Sequence, residues 1–324
     1  MIITKTPLRI TFVGGGTDIP EYYRKKGGAV VSAAINKYIY VIVNKKFDNK
    51  IRISYSKTEM VDSVEDIEHP SVRESLKLLG IDGGIEILSI SDIPSKGTGL
   101  GSSSTFLVGL LNALHAYKGE LTSREELARE AVLIEREILK EPGGKQDQYM
   151  AAYGGINLMN FNQDESVYVR PLSINAKSLE DFRNHLLLLY TGIQRNSTDI
   201  HKKQREEVIK KEEYYDEMKE LAYTFFEAVY KAEYPRIGAI MDANWKNKKK
   251  LTDGISNDII DNLYELAMKK GAYGGKLIGA GGGGFLLFVC EPSDSDDIIK
   301  ALSLRKIDFD FDFEGSRIIY VSKD

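Results

Sequence analysis

Cysteine is almost absent from this chain: one residue, Cys290, in 324. A lone thiol cannot close an internal disulfide, and it lies in an apolar run where a small buried hydrophobe is expected. Histidine is scarce as well. His69, His115, His185 and His201 lie far apart and lack the spacing of a metal-ligand set. No apolar stretch approaches the ~18 residues of a membrane span, and Met1–Thr6 carries no signal-peptide pattern. A cytoplasmic protein with no membrane partner is the expectation. Charge of one sign is missing too: a net charge of −4 gives no field that would gather nucleic acid. The densest basic run, Lys246–Lys250, reads as the solvated end of a helix. There is no internal repeat and no low-complexity linker.

What the chain does have is glycine in short, chemically placed runs. Pro94–Thr105 reads P-S-K-G-T-G-L-G-S-S-S-T. It follows an alternating apolar segment (Ile85, Ile87, Leu88, Ile90) and precedes an apolar-periodic one (Phe106, Leu107, Leu110, Leu111, Leu114). A glycine loop therefore joins a strand to the start of a helix. Glycines admit close approach of the backbone to an anion, and the first helical turn offers free N–H groups and a positive dipole end. Phosphate binding follows. No lysine occupies the place that a Walker A loop requires, so the cradle must come from backbone N–H groups, the serine hydroxyls and Lys96.

Gly279–Gly284 formally satisfies G-x-G-x-x-G, but Phe285–Cys290 after it reads as a strand where a dinucleotide fold needs a helix. A glycine turn between two strands can still press its backbone on a ligand. Gly14–Asp18 ends the strand Leu8–Val13, inside which Arg9 needs a partner for its charge. Gly143-Gly144 precedes a short helix carrying Asp147 in its first turn.

Period-2 patterns predict strands at Leu8–Val13, Ala29–Ile35, Tyr38–Val43 and Ile51–Tyr55, and later at Ile156–Phe161, Leu186–Tyr190, Lys276–Ile278, Phe285–Cys290 and Arg317–Val321. Helical patterns cover Ser104–Tyr117, Arg124–Leu139 (begun by Thr122 or Ser123), Lys145–Tyr153, Ser197–Lys231 with one break, Pro235–Lys246, Ser256–Lys270 and Asp294–Leu302. This is an α+β pattern in two lobes, with a boundary near residue 170.

These segments, in this order, resemble the GHMP kinase superfamily over essentially the whole chain. Pro7–Asp18 resembles its first motif, Pro94–Ser103 its P-x-x-x-G-L-G-S-S motif, and Ile278–Phe285 its third. Thr6–Asp18, Tyr55–Lys57, Gly99–Ser104, Asp147–Gly155 and Thr191–Arg195 are further similar to the D-glycero-D-manno-heptose 7-phosphate kinases, which act on the anomeric hydroxyl. Gly14–Gly16 stands where galactokinases carry Gly-Glu-His.

The resemblance implies a ribosomal-protein-S5-like N-terminal lobe (residues 1–170) that binds ATP and a ferredoxin-like C-terminal lobe (residues 171–324). It implies ATP and a sugar phosphate as substrates and Mg2+ as cofactor. ATP would meet Lys96, Gly97, Thr98, Gly99, Leu100, Gly101, Ser102, Ser103 and Ser104. Mg2+ would meet Ser103 and Glu135. Asp147 is implied as the acceptor of the sugar hydroxyl proton, with Arg9 stabilising the transferring phosphoryl group and holding Asp147 ionised. The sugar would meet Asp18, Gly15, Gly16, Thr17, Gly281, Gly282 and Gly283, and its phosphate Arg195 or Lys37. A homodimer is a possible assembly. The alternatives are another sugar kinase of the superfamily, fucose- or galactose-directed, and a catalytically silent ligand-binding relative.

Overall fold

The computed structural model of the chain describes residues 1–94, 97–193 and 198–322. The first half runs β1 (Ile2–Val13), α1 (Pro20–Lys26), β2 (Gly28–Lys45), β3 (Ile51–Ser54), β4 (Thr58–Val61), α2 (Pro70–Leu79), β5 (Ile85–Ser91), α3 (Ser102–Lys118), α4 (Arg124–Val132), α5 (Gln146–Tyr153), β6 (Ile156–Phe161) and β7 (Val167–Pro171). The second runs α6 (Ala176–Asn184), β8 (Leu186–Tyr190), α7 (Thr198–Glu207), α8 (Glu212–Tyr230), α9 (Tyr234–Leu251), α10 (Asp258–Lys269), β9 (Ala272–Leu277), β10 (Phe285–Cys290), α11 (Ser295–Leu302), β11 (Arg305–Lys306) and β12 (Arg317–Val321).

The segments expected at Ala29–Ile35 and Tyr38–Val43 are one strand, β2. Asn36 and Lys37 interrupt the apolar alternation. The β1–β2 register jumps there from Pro7↔Tyr38 to Leu8↔Ile35, so a bulge absorbs the extra residues without ending the strand. Residues 28–33 of β2 pair with β6, and residues 39–45 pair with β5. One long strand thus spans both branches of an eight-stranded sheet ordered β12-β1-β2-β5-β3-β4, with β6 and β7 branching from β2.

The second sheet is antiparallel, ordered β11-β8-β10-β9. Numbered by their own sequence order, these strands lie 4-1-3-2, the ferredoxin-like arrangement. β12, near the end of the chain, returns to pair with β1. One hydrophobic cluster runs from Leu8 and Val41 through Leu110 and Met150 to Phe225, Ile237 and Leu287, so residues from both halves share a core. That continuity fixes the glycine turns of the two halves against each other.

The helix expected at Arg124–Leu139 is regular only to Val132. Ser123 caps it: its hydroxyl accepts from Glu126 N (3.1 Å), and the Glu126 carboxylate accepts from Ser123 N (2.9 Å). From Leu133 to Ile138 the coil widens to a π-turn that buries Ile134 and Glu135 side by side.

Candidate active site

Along β1, side chains two apart share a face. Arg9 and Thr11 both point at the start of α5. Arg9 Nε and Nη2 donate to Asp147 Oδ1 (2.7 Å) and Oδ2 (2.8 Å), a bidentate pair, while Nη1 donates to the Gly99 carbonyl (2.5 Å). The Arg9 amide donates to Leu100 O (3.1 Å), which stitches the glycine loop to the strand. Arg9 thus has the partner its burial demands. Burial would raise the Asp147 carboxyl, but the adjacent Arg9 guanidinium outweighs it and holds the group below the usual aspartate range.

Gly101 is the N-cap of α3, at φ +78°. A Cβ there would take an unfavoured backbone region and lie 3.3 Å from both Arg9 Cγ and Asp147 Oδ2. The loop can therefore lie over the Arg9–Asp147 pair only with glycine at this place. The first turn of α3 follows with Ser102, Ser103 and Ser104. Ser103 Oγ donates to Glu135 Oε1 (2.8 Å) and Ser104 Oγ to Oε2 (2.6 Å), and Gln148 Nε2 also donates to Oε2. The π-turn brings Glu135, 1% exposed, to this position. The buried Thr98 and Ser102 hydroxyls have no hydrogen-bond partner among the described residues.

A cavity lies here, walled by Gly97–Gly99, Gly101–Ser104, Glu135, Arg136, Glu141, Arg9, Asp147, His201, Gly279, Ala280 and Gly283. Ser102 and Ser103 also line an adjoining groove with Tyr55, His69, Ile93, Pro94 and Phe106. A phosphate chain fits the first cavity: free helix N–H groups and two unsatisfied buried hydroxyls converge on it. A hard divalent cation fits the Ser103–Glu135 pair, two oxygen donors in contact on its wall.

A second cavity shares Arg9, Arg136, Asp147, His201, Gly279 and Ala280 with the first and adds Gly15, Gly16, Asp18, Gln204 and Lys248. Asp18 Oδ2 accepts from Gln146 N (3.1 Å), and Oδ1 accepts from Gly16 N (3.0 Å) and Gln146 Nε2 (3.2 Å). Gly144 permits this, because a Cβ on it would overlap the Asp18 carboxylate. Burial raises the Asp18 carboxyl above its ordinary range. The Gln146 amide works against that, and the charge of Asp147 adds to it.

Several expected contacts fall elsewhere. Thr17 turns inward and exchanges hydrogen bonds with Ala29 (hydroxyl to carbonyl 2.9 Å, amide to hydroxyl 3.0 Å), so it braces the turn and lines neither cavity. The Leu100 side chain is fully buried in the core and only its carbonyl serves the site. Gly281 and Gly282 back onto Ile255, whose carbonyl accepts from Gly282 N (2.7 Å). Of the expected Gly281–Gly283 only Gly283 reaches a wall, and it is the wall of the loop-side cavity. Lys37 lines neither cavity. Lys96 and Arg195 lie outside the described residues.

Sequence reasoning missed Arg136, Glu141, His201, Gln204, Lys248, Gly279 and Ala280 as site residues. Gly279 and Ala280 stood in a run already noted. Lys248 stood in the basic run read as solvated, yet it is 6% exposed and its Nζ donates to Gly279 O (2.6 Å).

Residues 67–155 match the N-terminal domain of the GHMP kinases and residues 225–306 their C-terminal domain. The chain is 36% identical to the D-glycero-alpha-D-manno-heptose 7-phosphate kinase of Campylobacter jejuni, over 97% of each. It is 27% identical to the L-fucokinase/L-fucose-1-P guanylyltransferase of Bacteroides fragilis, over 94% of this chain and 35% of that longer one. Among solved structures, a D-glycero-D-manno-heptose 1-phosphate kinase from Bacteroides thetaiotaomicron superposes over 100% of both chains with a TM-score of 0.82 at 26% identity.

Proposed function

The chain belongs to the GHMP kinases, and we propose that within this family it transfers the γ-phosphoryl group of ATP to the anomeric hydroxyl of D-glycero-D-manno-heptose 7-phosphate. The product is the 1,7-bisphosphate, a precursor for nucleotide-heptose and surface-glycan synthesis. The observation that carries this reading is the Arg9–Asp147 pair, which lines both cavities and so stands where a donor in one meets an acceptor in the other.

In this reading the triphosphate lies against Gly97–Ser104. Its oxygens take the free N–H groups of α3 and the unpartnered hydroxyls of Thr98 and Ser102. The base enters the adjoining groove beside Tyr55, His69 and Phe106, whose rings offer stacking surface. Mg2+ held by Ser103 and Glu135 would neutralise charge on the β- and γ-phosphates. The Ser103 hydroxyl and Glu135 carboxylate are preset for that by their own hydrogen bond.

Asp18 and the backbone at Gly15 and Gly16 orient the sugar in the second cavity. Asp147, ionised at neutral pH, accepts the proton of the anomeric hydroxyl as that oxygen bonds to phosphorus. The bond from phosphorus to the bridging oxygen breaks, and its electron pair leaves on ADP. Arg9 stabilises charge on the transferring group. Phosphoryl transfer is largely dissociative and an anomeric hydroxyl is comparatively acidic, so positioning by Asp18 and Arg9 contributes alongside proton transfer.

The test is a panel of D-glycero-D-manno-heptose 7-phosphate, the unphosphorylated heptose, L-fucose and D-galactose, each with ATP and Mg2+. ADP release and ³¹P NMR of the product are the readouts. An anomeric phosphate on the heptose 7-phosphate, with the highest kcat/KM of the panel, is expected. Preference for fucose or galactose would overturn the substrate assignment.

A further inference from the structure

The proposed substrate carries a phosphate of its own, which must be bound away from the phosphate being transferred. The cations shared by the two cavities are already engaged. Arg9 is paired with Asp147 and Gly99 O. Arg136 Nε donates to Gly144 O (2.9 Å), and its Nη1 reaches the Glu141 and Pro142 carbonyls. Among the polar groups lining only the second cavity, the Thr11 hydroxyl donates to Gln146 Oε1 (2.7 Å), and the Gln146 amide donates to Asp18. On the wall that α7 and α9 build, Gln204 and Lys248 line this cavity, and the Lys248 ammonium spends one of its three N–H groups on Gly279 O (2.6 Å).

Gln204 is 3% exposed, faces this cavity and has no hydrogen-bond partner for its Nε2 among the described residues. A buried amide N–H2 left without an acceptor is costly and uncommon in a native fold, and an absent ligand is one standard reason for it. Lys248 lines the same cavity and is buried, held by the Gly279 carbonyl rather than extended into solvent like Lys246, whose side chain is 67% exposed. A lysine ammonium and an amide N–H2 together suit a phosphate monoester, which offers three acceptor oxygens and close to two negative charges.

We propose that Gln204 and Lys248 form the subsite for the sugar's own phosphate monoester, and that they make the enzyme select phosphorylated over unphosphorylated sugars. This rests on the reading of the second cavity as the sugar site. A further feature agrees with it. Gln204 and Lys248 line the second cavity and not the first, so they are separated from the transferring group.

The experiment compares kcat/KM for D-glycero-D-manno-heptose 7-phosphate and for the unphosphorylated heptose in the wild type, Lys248→Met, Lys248→Arg and Gln204→Leu. Loss of a hydrogen bond to a charged group predicts that Lys248→Met lowers the ratio of the two by ~10–100-fold. Gln204→Leu should lower it less, and Lys248→Arg should restore part of it. Thermal melting and ATP affinity check that each variant is folded. A merely structural role would lower both kcat/KM values together and leave the ratio fixed, and that result overturns the subsite while leaving the sugar-phosphate reading standing. A wild type indifferent to the sugar's phosphate overturns the reading, and the subsite with it.

Discussion

Replacing Asp147 by asparagine keeps the shape of the side chain and removes its charge and its capacity to accept a proton. The consequences follow from its two short contacts. Oδ1 of the asparagine can still accept from Arg9 Nε, as now at 2.7 Å, but the amide nitrogen would face Arg9 Nη2, donor against donor, where an acceptor now sits at 2.8 Å. Arg9, with a side chain 7% exposed, keeps only the Gly99 carbonyl as a full partner. Breaking a buried pair from one side costs about 3–5 kcal/mol. The surviving bond and the 23% exposure of Asp147 place this case near the lower end. For 324 residues, an unfolding entropy of about 2 cal/mol/K per residue turns ~3 kcal/mol into a melting-point loss of roughly 5 °C.

The sign of the pH dependence is fixed by the same contacts. The carboxyl of Asp147 lies below its ordinary value in the fold, so its contribution to stability is present above the unfolded value of about 3.9 and is lost as pH falls through the folded value. The wild-type advantage in melting temperature should be full at neutral pH and shrink in acid. Turnover should fall by about 10²–10⁴, the usual contribution of a positioned base, while ATP affinity measured by calorimetry survives. Turnover within tenfold of wild type would refute the base. A collapse of ATP affinity together with turnover would refute it differently, because it would mean that the pair acts by holding Gly99 and the loop.

Three other perturbations follow from the same geometry. Gly144→Ala should drive the Asp18 carboxylate out of its seat on Gln146 and raise the sugar KM by ~10–100-fold with little change in the ATP KM; equal changes in both, by steady-state kinetics, would remove Asp18 from sugar binding. Ser103→Ala should raise the magnesium concentration needed for half-maximal rate, and an unchanged magnesium titration would count against the Ser103–Glu135 site. Lys276→Met should raise the melting temperature, since Lys276 is fully buried with no hydrogen-bond partner for Nζ among the described residues. Its ammonium titrates well below the ordinary lysine value, so the gain should be largest at low pH and fade as pH rises toward ~10.4; a gain independent of pH would show that packing is responsible and charge is not.

The parts of this site that were legible in the sequence are those where the backbone itself sets the requirement. Gly97, Gly99 and Gly101 all take positive φ, so the loop's alternation of glycines is a direct imprint of its geometry. Arg9 was legible as a problem, a charge within an apolar strand, but its solution lies 138 residues away and needed the family resemblance to identify it. Glu135 was placed by the same resemblance. Its burial depends on a π-turn, which no regular period in the residues announces. Short elements were lost for a plainer reason. α2 is marked by Pro70 at its start and Gly80 in the left-handed conformation after its end, yet its apolar face of Val72, Leu76 and Leu79 is brief and follows a polar stretch.

Lys248 shows where such reading stops. A run of lysines has the same composition whether its helix end is solvated or packed. On α9 each residue turns by about 100°, so neighbours in one run face different surroundings. Lys246 pairs with Asp242 and Lys249 with Asp261 near the surface, while Lys248 turns toward the Gly279 carbonyl and the cavity below it. What makes Lys248 a candidate for substrate recognition is the wall it meets, assembled from Gln204 of α7 and the Gly279–Ala280 turn. The run carried a charge whose meaning was set by segments on either side of it in the chain, and the motifs that identify the family lie outside that run. If the proposed subsite holds the sugar's phosphate, that separation would let a kinase of this fold keep its phosphoryl-transfer centre while α7 and α9 set the sugar phosphate it accepts.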